Sequence, residues 1–398
     1  MNGHSLKDAA ERAGVDPGYL DRLIGLGILP ARKGDGFSPA DVRVVMMVKA
    51  LEDGGISLDG VAAAVERGAL AFDFLATPAF ERFAALASET FRQVSARTGI
   101  PLELVMLIRE AIGMAQPSAD DLLREDELAI VPFLQMQVDE GFRSVSIERL
   151  LRVQGESTRK IAEQEGAWWY GEVIAPAITA GKSSDEFSNP ELAARTAVAS
   201  EAALLAMYHA QQSRIWTATL ITGFEEMLEQ AGLHSRLERP PAICFLDITG
   251  YTRLTQERGD GAAADLAGTL ARLVERGSVR YGGKPIKWLG DGVMLFFPNP
   301  GPGVRAALEI VDGLAAVGLP PAHVGLHAGP VLYQAGDYFG QTVNVSARIA
   351  DYARPAEVLV SQAVADACTE NGIGFTDIGP VELKGVSGTV NLLRPHLV

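Results

Sequence analysis

Cysteine is nearly absent: Cys244 and Cys368 are the only two in 398 residues. So few thiols exclude a disulfide framework and point to a reducing compartment, which we read as the cytoplasm. Long apolar runs are missing too, with none near the roughly 18–20 residues of a membrane span. The opening residues, MNGHSLKDAAERAG, lack the charged-then-apolar layout of a signal peptide. Positive charge is in deficit, with 35 Lys and Arg against 50 Asp and Glu and a net charge of −15. That balance argues against DNA or an anionic membrane as partner, because phosphate contacts dominate such affinity. A nucleotide substrate stays open, since a few local cations and bound metal outweigh a distant acidic surface.

What is present is globular: 47% hydrophobic and 21% charged residues, in a chain long enough for two or three domains. Up to about residue 235 the apolar positions recur at spacings of three and four, which predicts helix throughout. Near Pro240 short β-type runs such as AICFLDI and VMLFF begin to alternate with helical stretches. This is an α/β pattern, and HSRLERPPA marks the boundary. Residues 9–66 and 94–151 share a layout at an offset of about 85. Arg12 and Gly14 match Arg97 and Gly99, and Asp41 matches Asp126. We read four segments: a first helical module over 1–72, a second over 73–154 as its repeat, a helical dimerising or transmitting segment over 155–239, and an α/β catalytic domain over 240–398. The run beginning ELAARTAVASEAALL has no proline for about 40 residues and predicts one long helix leading into the last domain.

The first module, through AAERAGVDPGYLDRLIGLGIL and GFSPADV, resembles the helix-turn-helix of MerR-type regulators. Its recognition helix would be PGYLDRLIGLG, with one arginine and one aspartate. Residues 1–72 hold 8 Lys and Arg against 10 Asp and Glu. That is little with which to grip phosphate or base edges, so we read a helical scaffold for dimerisation or sensing.

Chemistry concentrates after residue 240. FLDITGYTRL delivers Asp247 at a strand end and opens through Gly250 into a helix, an arrangement suited to phosphate and a cation. KPIKWLGDGVMLFF reads as a hairpin with Asp291 at its turn. Two carboxylates on neighbouring strand ends are the minimum for two-metal phosphoryl transfer. In DYFGQTVNVSARIAD, Asn344 and Arg348 are i and i+4 on a helix, seven and eleven residues after Asp337. They share one face, where they could hold a ribose and a developing negative charge.

Together these segments resemble the catalytic domain of class III nucleotidyl cyclases over roughly residues 241–395, with its motifs in the family's order. The resemblance implies a ferredoxin-like α/β fold of the compact-arm bacterial type. It implies two Mg²⁺ or Mn²⁺ per active site, held by Asp247, Asp291 and the backbone of Ile248. Lys287 and Asp337 would select adenine. Asn344 would orient the ribose, Arg348 would stabilise the pentacovalent phosphate, and Gly250, Tyr251, Thr252 and Lys384 would contact the triphosphate. The expected reaction is ATP to cyclic AMP, at sites completed only in a homodimer. The helical region would regulate it, with a small ligand such as a lipid, or a proton, as signal. His323 and His327 lie i, i+4 on a predicted strand and so share a face; we assign both a structural role. The alternative is a MerR-like transcriptional regulator whose cyclase-like domain senses nucleotide with little catalysis. A GGDEF-type cyclase or polymerase palm is opposed by the missing GGDEF string and by the Asn344/Arg348 pair.

Overall fold

The computed structural model describes residues 3–31, 36–77, 80, 83–182, 189–233, 239–334, 336–369 and 371–398. The side chains of residues 252–255, 257–260, 262 and 263 are outside that description. The chain divides into two compact units, Met1–Gly223 and Phe224–Val398.

The first unit is built mainly of helices. α1 (Leu6–Ala13) and α2 (Pro17–Gly25) join through Gly14, whose φ of 71° closes α1. α3 (Pro39–Asp53) starts on a capping box of Ser38 and Asp41, and α4 (Leu58–Glu66) starts on Ser57. Each cap satisfies N–H groups that the first turn leaves without helical partners. The order then recurs as α5 (Phe91–Thr98), α6 (Leu102–Ala111), α7 (Glu125–Asp139) and α8 (Ser144–Trp169). α5 begins 85 residues after α1, Phe91 against Leu6, and Gly99 ends it at a φ of 73° as Gly14 ends α1. Each set packs on its own core, one around Leu20, Leu23, Val45 and Val48, the other around Phe91, Val105, Ile108 and Leu134. α9 (Ala175–Thr179) follows a π-helical turn at Tyr170–Ile174. α10 (Pro190–Gln230) runs 41 residues with none buried.

One expectation is corrected in this unit. Helix does not extend throughout, because β1 (Leu86–Thr90) and β2 (Leu122–Arg124) pair as an antiparallel ribbon. Five and three residues are too few to display a period of two. Their pairing also spans more than thirty residues of chain, which no local pattern reports.

The second unit is a seven-stranded sheet with helices. β3 (Ala242–Ile248), α11 (Tyr251–Arg280), β4 (Lys284–Leu289), β5 (Gly292–Phe297), α12 (Pro300–Leu314) and β6 (Ala322–Ala328) form a β-α-β-β-α-β series. The strands lie in the order β6-β3-β5-β4, all antiparallel neighbours, which is the ferredoxin-like arrangement. β7 (Leu332–Gln334) and β8 (Asp337–Phe339) make a separate small hairpin before α13 (Gln341–Tyr352). β9 (Val358–Ser361) joins β6 in parallel, and after α14 (Gln362–Ala367) the strands β10 (Ile373–Glu382) and β11 (Thr389–Leu397) complete the sheet. The expected boundary segment HSRLERPPA begins with residues 234–238, which lie outside the described residues.

Alternation along the strands divides the two faces. Ala242, Cys244, Leu246 and Ile248 of β3 join Val293, Leu295 and Phe297 of β5 in a core shared with Val274 of α11 and Ile310 of α12. Burying each large side chain there contributes roughly 1.5–3 kcal/mol. Full burial also pushes the Cys244 thiol well above its ordinary value, so it stays protonated and inert. The opposite face receives α13, which docks closely because β6 has Gly325 beneath it: a Cβ there would lie 2.1 Å from the backbone nitrogen of Ala350. Ser346 secures the contact by donating from Oγ to the carbonyl of Ile243 at 2.9 Å.

Candidate active site

Asp247 is the sixth of the seven residues of β3, where its side chain leaves the core face and is 43% exposed. Across the sheet it pairs with Gly292 on β5 and with His323 on β6. The β4–β5 hairpin turns through Gly290 and Asp291, with Gly290 at a φ of 71° that an L side chain rarely adopts. Gly292 has a different reason to be glycine. A Cβ there would fall 2.7 Å from Asp247 Oδ1, so its absence makes room for that carboxylate. The backbone joins the two aspartates as well, since Ile248 N–H donates to the Asp291 carbonyl at 3.3 Å.

Electrostatics at this corner favour a cation. The Asp291 carboxyl is raised above the ordinary carboxylate value, first by burial and next by the negative charge of Asp247. Two carboxylates brought together repel, and a divalent ion between them would relieve both effects. Hard oxygen donors suit Mg²⁺ or Mn²⁺. Among the described residues no group of three or more His, Cys, Asp or Glu forms a metal cluster, so further ligands would be backbone, water or phosphate. His323 Nε2 lies 3.2 Å from Asp247 Oδ2. The imidazole is raised above its ordinary value mainly by that contact, against the opposing effect of burial.

A second group gathers around the small hairpin. Lys287 Nζ on β4 and Asp337 Oδ2 on β8 are 2.5 Å apart. Asp337 Oδ1 also accepts from the N–H of Tyr338 at 2.8 Å, which fixes the carboxylate. Behind them Tyr338 stacks on Phe296 with ring centres 4.4 Å apart, and burial raises its phenol to about 12.

The remaining expected residues are more scattered. Asn344 and Arg348 both lie on α13, and Arg348 Nη1 donates to Asp351 Oδ2 on the same helix at 2.7 Å. In a single chain that arginine is therefore held by its own helix. Gly250 opens α11 with a φ of 76°, and Tyr251 is half-buried against the core. The side chain of Thr252 lies outside the described residues. Lys384 is exposed in the turn between β10 and β11. Nothing in the sequence hinted that His323 touches Asp247. That contact follows from the β3–β6 register, which nothing local in either strand announces.

A family model described as the adenylate and guanylate cyclase catalytic domain matches residues 321–393. A pH-sensitive adenylate cyclase of Mycobacterium tuberculosis is 27% identical over 314 residues, covering 76% of this chain and 77% of that protein. By these matches the chain is an enzyme, an adenylate cyclase. An adenylate cyclase of Streptomyces coelicolor is 25% identical over 278 residues, 69% of this cyclase and 70% of that protein. Among solved structures, the adenylyl cyclase CyaB from P. aeruginosa is 22% identical, covering 40% of this cyclase and 95% of that chain at a TM-score of 0.35. The family match includes Asp337, Asn344 and Arg348 of this cyclase and stops short of Asp247 and Asp291.

Proposed function

We propose that this chain, an adenylate cyclase, converts ATP to 3′,5′-cyclic AMP and pyrophosphate at sites shared between two copies of itself. One observation carries the choice of nucleotide: the Lys287 ammonium and the Asp337 carboxylate stand side by side. Adenine presents an acceptor, N1, next to a donor, its 6-amino group, and this pair offers the complement of each. Guanine reverses both, leaving donor against donor and acceptor against acceptor, at roughly 1–3 kcal/mol for each buried group left unpaired.

In the reaction the ribose 3′-oxygen bonds to the α-phosphorus while the bond from that phosphorus to the bridging oxygen breaks, releasing pyrophosphate. Asp247 and Asp291 would hold the divalent ions, which when bound make the 3′-hydroxyl more acidic and stabilise the leaving group. Asn344 orients the ribose, and Arg348 balances charge growing on the α-phosphate. Lys384 and the Gly250–Thr252 helix start receive the triphosphate. No side chain acts as a dedicated base in this reading, and the 3′-hydroxyl proton leaves to water. The sharing of sites is supported by Arg348, which in one chain turns to Asp351 on its own helix. Regulation falls to the helical modules and to residues 155–239. A groove of about 890 Å³ between α8 and α10, lined by Ile161, Trp168, Ala203, Leu204 and Met207, suits an apolar ligand. Constant activity from pH 5.5 to 8, with and without added fatty acid, would remove both the ligand and the proton as signals.

The test is product formation by the full chain from ATP and from GTP, with Mg²⁺ or Mn²⁺. Cyclic AMP is expected from ATP, absent in Asp291→Ala, with Lys287→Ala eroding the preference for ATP about tenfold or more. Cyclic GMP as main product, or no cyclic product, overturns the reading.

A further inference from the structure

Two histidines sit on the same face of β6, and their partners differ in kind. His327 Nδ1 lies 2.7 Å from the Ser361 hydroxyl, and burial lowers its imidazole below the ordinary value. His323 bridges two acceptors: Nε2 lies 3.2 Å from Asp247 Oδ2, and Nδ1 lies 2.8 Å from the carbonyl oxygen of Ala350 on α13. Carboxylate and carbonyl only accept, so in each contact the ring is the partner able to donate. The His323 side chain is 19% exposed against 43% for Asp247, so the more enclosed group holds the freer one.

This bridge bears on the site because His323 is, among the described residues, the basic side chain paired with Asp247. Gly292 beside it has no side chain, and the charge of Asp291 pushes against it. A carboxylate in that setting swings away from its like-charged neighbour unless a donor holds one of its oxygens. Donors of this kind orient ligands and strengthen metal binding by roughly 10–100-fold.

We propose that His323 is a positioning residue of this cyclase: it holds the Asp247 carboxylate beside Asp291 in the orientation that receives a divalent ion, and braces it against α13. Asn344 and Arg348 lie six and two residues before Ala350 on that helix. One imidazole therefore joins the metal-receiving carboxylate of one shared site to the helix whose ribose and phosphate groups serve the other. The inference rests on reading Asp247 as a metal carboxylate, and it adds the group that orients it.

Two amide substitutions separate the two bonds. A glutamine nitrogen reaches about where Nε2 stands, and an asparagine nitrogen about where Nδ1 stands. Thus His323→Gln keeps the bond to Asp247, and His323→Asn keeps the bond to Ala350. Mn²⁺ binding to the full chain with a non-cyclisable ATP analogue is followed by paramagnetic resonance of the free ion, beside thermal unfolding. His323→Asn is expected to weaken Mn²⁺ by about tenfold or more and to lower kcat with KM for ATP little changed. His323→Gln should bind within about threefold of the parent, and His327→Asn should leave Mn²⁺ affinity as it was. Equal Mn²⁺ binding by both His323 variants, or equal loss in both, overturns the proposal and leaves a strand-to-helix tie. Asp247→Ala is measured alongside: unchanged Mn²⁺ binding there sinks the reading of Asp247 itself, whatever the histidine variants do.

Discussion

α10 and β3 are opposite solutions to the use of apolar residues. The helix carries Leu205, Met207, Tyr208, Ile215, Trp216, Leu220 and Ile221, all about half exposed or more, and buries none of its 41 residues. The strand has seven residues, and five of them are buried. Hydrophobicity by itself does not make a core; what matters is whether neighbouring elements cover the same face. β3 is covered by α11 and α12 on one side and by α13 on the other, and its alternation leaves Asp247 as the residue that emerges. The proposed metal carboxylate therefore stands on a well-packed strand, which suits chemistry that tolerates little displacement.

That contrast can be broken most strongly at the site. Asp247→Ala and Arg348→Ala should each lose activity by about 10²–10³-fold or more, and a mixture of the two should recover part of it. Recovery needs one heterodimer site with both intact halves, so a mixture as inactive as its components contradicts shared sites. Next in size is Phe297→Ala in the sheet core, expected to lower unfolding free energy by about 3–5 kcal/mol in urea titration. A loss under about 1 kcal/mol would mean that this core is looser than its packing implies.

A smaller effect comes from Glu357, which accepts from the N–H of Arg354 at 2.8 Å and pairs with Arg394. Burial alone would raise its carboxyl; the donors outweigh it, and the group is held below the ordinary 4.5. Its stabilising contribution is therefore present above pH 4.5 and is lost as pH falls through the lower folded value. The stability gap between the parent and Glu357→Gln should be about 1 kcal/mol at pH 7 and close in acid; a constant gap would refute it. Smallest is Trp216→Ala on α10, which should move the unfolding midpoint of dilute protein by less than about 0.5 kcal/mol. A shift as large as that of Phe297→Ala would erase the contrast between helix and strand.

Much of the candidate site was legible because its residues are tied to local geometry. Asp247 ends an apolar run, Asp291 lies in a Gly-Asp-Gly turn, and Asn344 and Arg348 are one helical turn apart. The same holds for the 41-residue helix, whose sequence has no proline after its first residue. The β1–β2 ribbon was not legible, being short and joined across a long stretch of chain. The closeness of Lys287 to Asp337, fifty residues apart, was expected only through family resemblance; the structure supplies it as a distance.

By itself the sequence determined which residues could do chemistry here and on which kind of element each stands, because capping, turn formation and helical or strand period act over a few neighbouring residues. Tertiary structure alone decided which of them meet. His323 reaches Asp247 through the antiparallel register of β3 and β6, and Ala350 reaches His323 because Gly325 lets α13 approach the sheet. Register and close packing are settled by the whole core at once, and no short segment contains them.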